Sequence, residues 1–552
     1  MPGSTPHQSS SQLSEGRLDL GATLQAVEAA LWASDLSKAM RLSDDAVSAG
    51  SAHPTFLGLA GLKRLYAGDN QGALPLLFKA REQTPKHVDL LYALGTCLSR
   101  LGRPREALEN FDAAILVAPE DRLYFGRALA LEDLSELDLA RAAFEKTVAL
   151  NPAHSEARAR LALLAVQRGD AKAARDLATQ ALAIDPQDAT ARIALAHAAL
   201  EQKDLVTAEA QVSALVLDQG LGPVNRAYAM SLAGDILDAQ DRTAEAFSAY
   251  AASKAIQRDL YAPNMAGLES MPARELRLAD YFARADAAQW RETSQQVQTT
   301  HVFLVGFPRS GTTLLEQVLA AHPDIVAMEE RSCLVDSAVE FFGSNAGLDR
   351  LAALSGAELE PWRQAYWKRV AEAGLSTSKA VFLDKMPLNA VFLPLIAKLF
   401  PAAKILFALR DPRDVVLSCF RRRFAMNAGM YEFTSLETTC AYYGAVMRLI
   451  QIYQGKLALE IFVARHESLL GDFDGEAQLL CNFLGVQFRN EMRAFAGQAR
   501  LQNIDTPSSA QVARGLSISG LAQWRRYRPQ LETVLPWLAP FVSQFGYPEN
   551  EA

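Results

Sequence analysis

Between Leu18 and Lys254 the apolar and polar positions repeat at a near-constant interval. Pro85, Pro119, Pro152 and Pro186 follow one another at gaps of 34, 33 and 34 residues, each behind an apolar-periodic stretch. Such a period marks stacked helix pairs that share one continuous core. Small residues recur in phase at Ala39, Ala73, Ala107, Ala140, Ala173, Ala208 and Ala246, and large ones stand four positions later at Phe111, Phe144 and Tyr250. The pattern is small where two helices touch and large where a neighbour is plugged. About seven repeats are therefore expected over 18–254, the outer ones irregular as capping units are. The phase is lost over 255–300, which predicts one or two bridging helices with an amphipathic stretch at Ala273–Arg284. The opening 1–17 is polar and Ser-rich and reads as disordered.

From His301 onward the pattern changes to short continuous apolar runs that end in Gly or charge. HVFLVG runs into Pro-Arg-Ser-Gly-Thr-Thr and a helix, a layout whose turn N–H groups and helix N-terminus form an anion cradle. The spacing Gly306 to Gly311 matches the start of a P-loop, G-x-x-x-x-G-K-[ST]. Thr312 and Thr313 stand where Lys and Ser/Thr are needed, and the only cation is Arg309. A loop without that lysine suits a less charged leaving group than the end phosphate of a nucleoside triphosphate. A second junction, KILFALRDPRDVVLSCFRRR, places a strand at Lys404–Leu409 and Arg410 at its rim. Asp411 is the expected helix cap, Pro412 the first helical residue, and Asp414 the partner of a capping box. Ser418 and Arg422, four apart, share one helix face; Arg413, Arg421 and Arg423 read as a solvated basic helix start. Further runs end at Lys385, after Val381–Leu383, and at His466, after LEIFVA. Glu329 and Glu330 follow the loop helix, and His322 closes it before Pro323, in a structural role. Together these runs predict a three-layer α/β domain over 301–552 whose parallel sheet binds its ligand at the C-terminal edge.

PRSGTT followed by LLEQVLAAHPDIVAMEE resembles the donor-binding start of sulfotransferases that use 3′-phosphoadenylyl sulfate (PAPS), the tyrosylprotein sulfotransferases above all. The likeness runs from His301 to Tyr547. The resemblance implies Glu330 as catalytic base, with Lys385 and Arg309 stabilising the bridging oxygen. It implies Arg309, Ser310, Gly311, Thr312 and Thr313 around the 5′-phosphate, and Arg410, Ser418 and Arg422 around the 3′-phosphate. His466 stands where the family has a nucleotide-contacting Tyr in a Tyr-Glu-x-Leu motif. Ser508, Ser509 and Arg514 fall in the family's closing loop over the nucleotide, with Gly515 where Pro is expected. The N-terminal half is similar to tetratricopeptide (TPR) repeats. The expected architecture is thus an all-α TPR solenoid, a helical linker and a P-loop-like α/β sulfotransferase domain, working without metal. An acceptor hydroxyl, of a protein tyrosine, a sugar or a small alcohol, would take the sulfuryl group, and the repeats would recruit acceptor or partner proteins or mediate self-association into homo-oligomers. The competing readings are a TPR scaffold with an inactive nucleotide-binding domain and a divergent P-loop kinase.

Composition narrows the remaining classes. A chain of 552 residues, half of them apolar, is long enough for two buried domains, and a net charge of -8 argues against a general nucleic-acid binder. Five dispersed cysteines form no C-x-x-C pair and read as reduced thiols without zinc. The absence of a leader and of a long apolar span leads to the expectation of a cytoplasmic chain without membrane contact.

Overall fold

The computed structural model describes residues 19–291, 299–375, 378–499 and 515–549. The opening read as disordered lies outside them, as do Ser508, Ser509 and Arg514. The chain divides into two compact units, residues 1–166 with 170–195 and residues 167–169 with 196–552.

Seven helix pairs fill the repeat region: α1 (Leu20–Trp32) and α2 (Leu36–Ser48), α3 (Pro54–Tyr66) and α4 (Asn70–Gln83), α5 (Val88–Arg100) and α6 (Pro104–Val117), α7 (Asp121–Asp133) and α8 (Leu137–Leu150), α9 (Ser155–Gln167) and α10 (Ala171–Ile184), α11 (Ala189–Glu201) and α12 (Leu205–Leu217), α13 (Pro223–Ala239) and α14 (Thr243–Met265). A residue with left-handed φ breaks each pair, at Ser34, Gly68, Gly102, Ser135, Gly169, Lys203 and Asp241. It reverses the chain in the space of one turn. In four pairs an aspartate then caps the second helix: Asp35, Asp69, Asp170 and Asp204 accept from the N–H of Lys38, Gly72, Ala173 and Thr207 at 2.8–3.1 Å. The small-residue phase holds at Ala39, Ala73, Ala107, Ala140, Ala208 and Ala246, all buried. It slips by one in the fifth pair, where Ala174 is buried and the expected Ala173 is not. Phe111 shows why small residues are needed opposite large ones: a Cβ at Gly95 or Gly126 would come within 2.8 or 2.6 Å of its ring.

In the second unit α14 runs well past Lys254, and α15 (Met271–Arg284) realises the amphipathic stretch. Phe282 on α15 is buried edge-on to Trp290 and to Tyr453, with ring centres 4.7 and 5.0 Å away. The domain that follows runs β1 (Thr300–Gly306), α16 (Thr312–Ala320), β2 (Ile325–Glu329), α17 (Val335–Phe342), α18 (Asn345–Ala353), α19 (Glu360–Glu372), β3 (Val381–Lys385), α20 (Leu393–Leu399), β4 (Lys404–Leu409), α21 (Pro412–Arg421), α22 (Ala428–Tyr431), α23 (Leu436–Lys456), β5 (Glu460–Arg465), α24 (His466–Gly471) and α25 (Phe473–Leu484). All pairings are parallel, in the order β2-β3-β1-β4-β5. Val302 to Val305 are fully buried, as a central parallel strand covered on both faces requires. From β1 the chain crosses to the edge strand β2 and returns inward to β3 on one side, then builds outward through β4 and β5 on the other, so β1 marks the topological switch point.

The basic run after β4 departs from the solvated reading. Arg413 is buried, pairs with Asp411 at 2.7 Å and lies 3.9 Å from the centre of the Trp524 ring. Arg421 pairs with Asp238 of α13, and Arg423 lies over the Tyr228 ring. Asp238 also accepts from Arg526 at 2.8 Å and from the Tyr527 hydroxyl at 2.7 Å. Long-range aromatic and acidic partners, invisible in the local pattern, draw these cations inward. Removing one carboxylate from such a buried cluster leaves unpaired charge. Asp238→Ala is therefore expected to destabilise the second unit by about 3–5 kcal/mol, measured as a shift of its urea midpoint.

Candidate active site

Each of the five strands delivers a predicted site residue to one edge of the sheet. β1 ends in Gly306, where a Cβ would stand 2.7 Å from the Ala408 carbonyl oxygen of β4. The turn beyond it carries Arg309 at φ 72 and Gly311 at φ 98 before α16 begins at Thr312. Ser310, Thr312 and Thr313 are buried in that turn. β2 leads to Glu330, β3 ends at Lys385, β4 leads to Arg410 and β5 to His466.

On the β4–β5 side the site is cationic. Arg309 donates from Nε to the Ser418 hydroxyl at 3.0 Å, and Arg410 donates to the Arg309 carbonyl at 3.3 Å. Arg422 caps α21 and donates its N–H to the Ser418 carbonyl at 3.1 Å. Loss of water, and then the neighbouring Arg422 and Arg410, depress the Arg309 guanidinium to about 9. Like charges gathered in a partly dry place are costly until an anion arrives. The His466 ring lies against Gly311, where a Cβ would meet its Nδ1 at 2.5 Å. Burial, with Arg410 and Arg309 beside it, holds His466 down at about 3, so it presents a neutral face to the loop. The following Glu467 accepts the Asp411 N–H at 3.0 Å and the Tyr547 hydroxyl at 2.9 Å, joining β5 to the end of β4.

Asp411 caps α21 through the Arg413 N–H, as its sequence position predicts. Asp414 does not complete a capping box. It is buried, accepts from the N–H groups of Ala522 and Trp524 at 2.7 and 2.9 Å, and stands 3.7 Å from Arg410. Arg410 also donates to the Gly520 carbonyl, so the stretch around 520–524 closes over the rim beside it. His322 is structural, bonded through Nε2 to the Gln487 carbonyl at 2.7 Å.

On the β2–β3 side one ammonium faces three carboxylates. Lys385 is fully buried, with Nζ 2.8 Å from Glu330, 3.2 Å from Glu316 and 3.7 Å from Glu329. It makes no ion pair with the adjacent Asp384, which instead accepts the Tyr366 hydroxyl at 2.8 Å. Although burial works against its charge, the Glu316 and Glu330 carboxylates raise the Lys385 pKa. Glu330 has a left-handed φ of 24 and an N–H bonded to the Lys385 carbonyl at 2.9 Å. Arg309 and Glu330 are two of only seven non-glycine residues with positive φ among the described residues; four of the others lie in turns of the repeat region, and the fifth, Ala522, lies in the stretch that closes over the rim. Backbone strain of this kind persists where the surroundings over-determine it. The Glu330 side chain is 40% exposed.

Residues 301–490 match the model of the Sulfotransferase family, and residues 64–131, 125–189 and 165–233 match tetratricopeptide repeat models. The chain carries a sulfotransferase-family domain behind tetratricopeptide repeats. The sulfotransferase domain is similar to a putative protein-tyrosine sulfotransferase of Caenorhabditis briggsae, 26% identical over 253 residues that cover 45% of this chain and 88% of that protein. It is also similar to protein-tyrosine sulfotransferase 1 of Danio rerio, 24% identical over 45% of this chain and 72% of that protein. An uncharacterized protein of Aquifex aeolicus is 27% identical over 45% of this chain, which spans only 34% of that protein's length. Among solved structures, a tetratricopeptide repeat protein from Parabacteroides merdae covers 43% of this chain and 92% of its own at 19% identity, with a TM-score of 0.34. No described helix of the chain is long and apolar enough to cross a membrane.

Glu316 is the residue of this site that the sequence reading passed over. It sits on the inward face of α16, one turn after Thr312, where the apolar run around it disguises a buried carboxylate. Burial pushes it up to about 7, with Lys385 opposing. A carboxyl raised in the folded state holds a proton that the unfolded chain has released, so stability falls as pH rises from about 4.5 to 7. Glu316→Gln should lose this slope. Denaturant unfolding near pH 5 and pH 7.5 is expected to show wild type losing on the order of 1–3 kcal/mol more than the variant; equal losses would mean that Glu316 ionises normally.

Proposed function

We propose that this chain transfers a sulfuryl group from PAPS to an acceptor hydroxyl. The observation that carries the reading is the split rim: buried and partly buried arginines on the β4–β5 side of β1, and an ammonium bound to an exposed glutamate on the β2–β3 side. The donor supplies an activated sulfuryl group on a phosphate leaving group, a chemistry that needs charge stabilisation and no redox partner. The cradle fits its two phosphates. The 309–313 turn, with Gly311 opening α16, holds the 5′-phosphate through N–H groups and the helix end. Arg410, Ser418 and Arg422 hold the 3′-phosphate by charge-assisted bonds. The His466 ring borders the nucleotide.

Glu330 takes the acceptor proton as the new oxygen–sulfur bond forms and the bond to the 5′-phosphate breaks. Lys385, held by Glu330 and Glu316, stabilises the charge that develops on the departing oxygen, with Arg309 on its other flank. No divalent metal is assigned a role. The names of the relatives make a protein tyrosine the leading acceptor, and the repeats are assigned its recruitment or that of partner proteins. Five buried, unpaired thiols support residence in a reducing compartment such as the cytoplasm.

Two measurements test the reading. Calorimetric titration should show adenosine 3′,5′-bisphosphate binding without Mg2+ and ATP with Mg2+ binding far more weakly; the reverse preference would favour the kinase reading, and bisphosphate binding without any sulfuryl transfer the scaffold. With radiolabelled PAPS and a tyrosine-bearing acceptor, Glu330→Ala should lower turnover by at least about a hundredfold, the scale of general base catalysis, while bisphosphate affinity stays nearly unchanged. Full activity of the variant would remove Glu330 from the base role.

A further inference from the structure

Three consecutive arginines leave the end of α21, and the last helix pair of the repeats grips all three. Arg421 is nearly buried, pairs with Asp238 of α13 and lies 5.2 Å from the centre of the Tyr250 ring of α14. Arg423 lies 3.3 Å from the centre of the Tyr228 ring of α13. Between them Arg422 turns out of the helix at φ -85 and ψ 151, and its carbonyl accepts a 2.7 Å bond from Nζ of Lys254 on α14. The Arg422 side chain is one-third exposed, 3.9 Å from Asp235, whose carboxylate also accepts the Tyr250 hydroxyl.

Lys254 is 3% exposed, and a buried ammonium is costly wherever it does nothing. Here it satisfies a carbonyl that the end of α21 leaves without a helical partner, and it complements the negative pole of that helix. The consequence is geometric. With Arg421 and Arg423 on separate aromatic faces and the backbone between them pinned, Arg422 is held one turn beyond Ser418, the hydroxyl to which Arg309 already donates.

We infer that Lys254 is a positioning residue which aims Arg422 at the 3′-phosphate, so that the last helix pair of the repeats is part of the donor site. The inference rests on the reading of the site as a bisphosphate pocket. Its test compares the full chain with Lys254→Met and Lys254→Arg, titrating adenosine 3′,5′-bisphosphate and adenosine 5′-monophosphate calorimetrically. Lys254→Met is expected to weaken the bisphosphate about tenfold, the worth of one misdirected charge-assisted bond, and to leave the monophosphate within about twofold. Lys254→Arg, which can still donate to the carbonyl, should restore most of the loss. Equal weakening of both nucleotides would reduce Lys254 to a structural part, and no weakening would dismiss it; either overturns the inference while bisphosphate binding by the wild type stands. Failure of the wild type to bind the bisphosphate would overturn the pocket reading and the inference with it. Should Lys254→Met not fold, Arg423→Leu, which releases the grip on the Tyr228 ring, is expected to show the same selective loss, and an unselective one counts against the proposal.

Discussion

Everything at the sheet edge depends on keeping opposite charges apart across β1. Arg309, Arg410 and Arg422 gather on the side of β4, with Arg410 3.7 Å from Asp414. Lys385 and its three glutamates lie on the other side. Direct contact between the two groups would neutralise the charge of each. The parallel sheet enforces the separation by geometry, because register fixes where each strand ends and the central strand stands between the two sets.

The surrounding structure bears the cost of that arrangement in identifiable places. The strained backbone at Arg309 and Glu330 is held by hydrogen bonds from neighbouring strand ends, Arg410 onto the Arg309 carbonyl and the Glu330 N–H onto that of Lys385. Asp414 and Glu467, both carboxylates, are spent on backbone N–H groups of other segments and so tie the rim together. His466 stays neutral and adds no further cation to a cluster that already repels itself.

How much of this was legible in the sequence follows the range of the interactions. Local rules carried the strands, the Asp411 cap, the turn between Gly306 and Gly311 and the repeat period, because each is decided within a few residues. The Ala173 position failed by one because the true phase marker is the left-handed turn residue, here Gly169, while Ala173 and Ala174 adjoin in sequence and composition does not choose between them. Asp414 looked like a capping partner because local spacing allows it, while the N–H groups it actually serves lie more than a hundred positions away. Arg413, Arg421 and Arg423 looked solvated for the same reason: Trp524, Tyr250 and Tyr228 are remote in sequence. Glu316 was hidden because a buried acid in an apolar helix reads as a surface residue until its lysine is seen.

The extended last helix of the repeats bears on modularity. α14 continues to Met265 and sends Tyr250 and Lys254 onto the end of α21, while Asp238 of its partner binds Arg526 near the other terminus. Helix α14 belongs to the same compact unit as the sheet, so a cut made where the repeat pattern fades would pass through shared masonry.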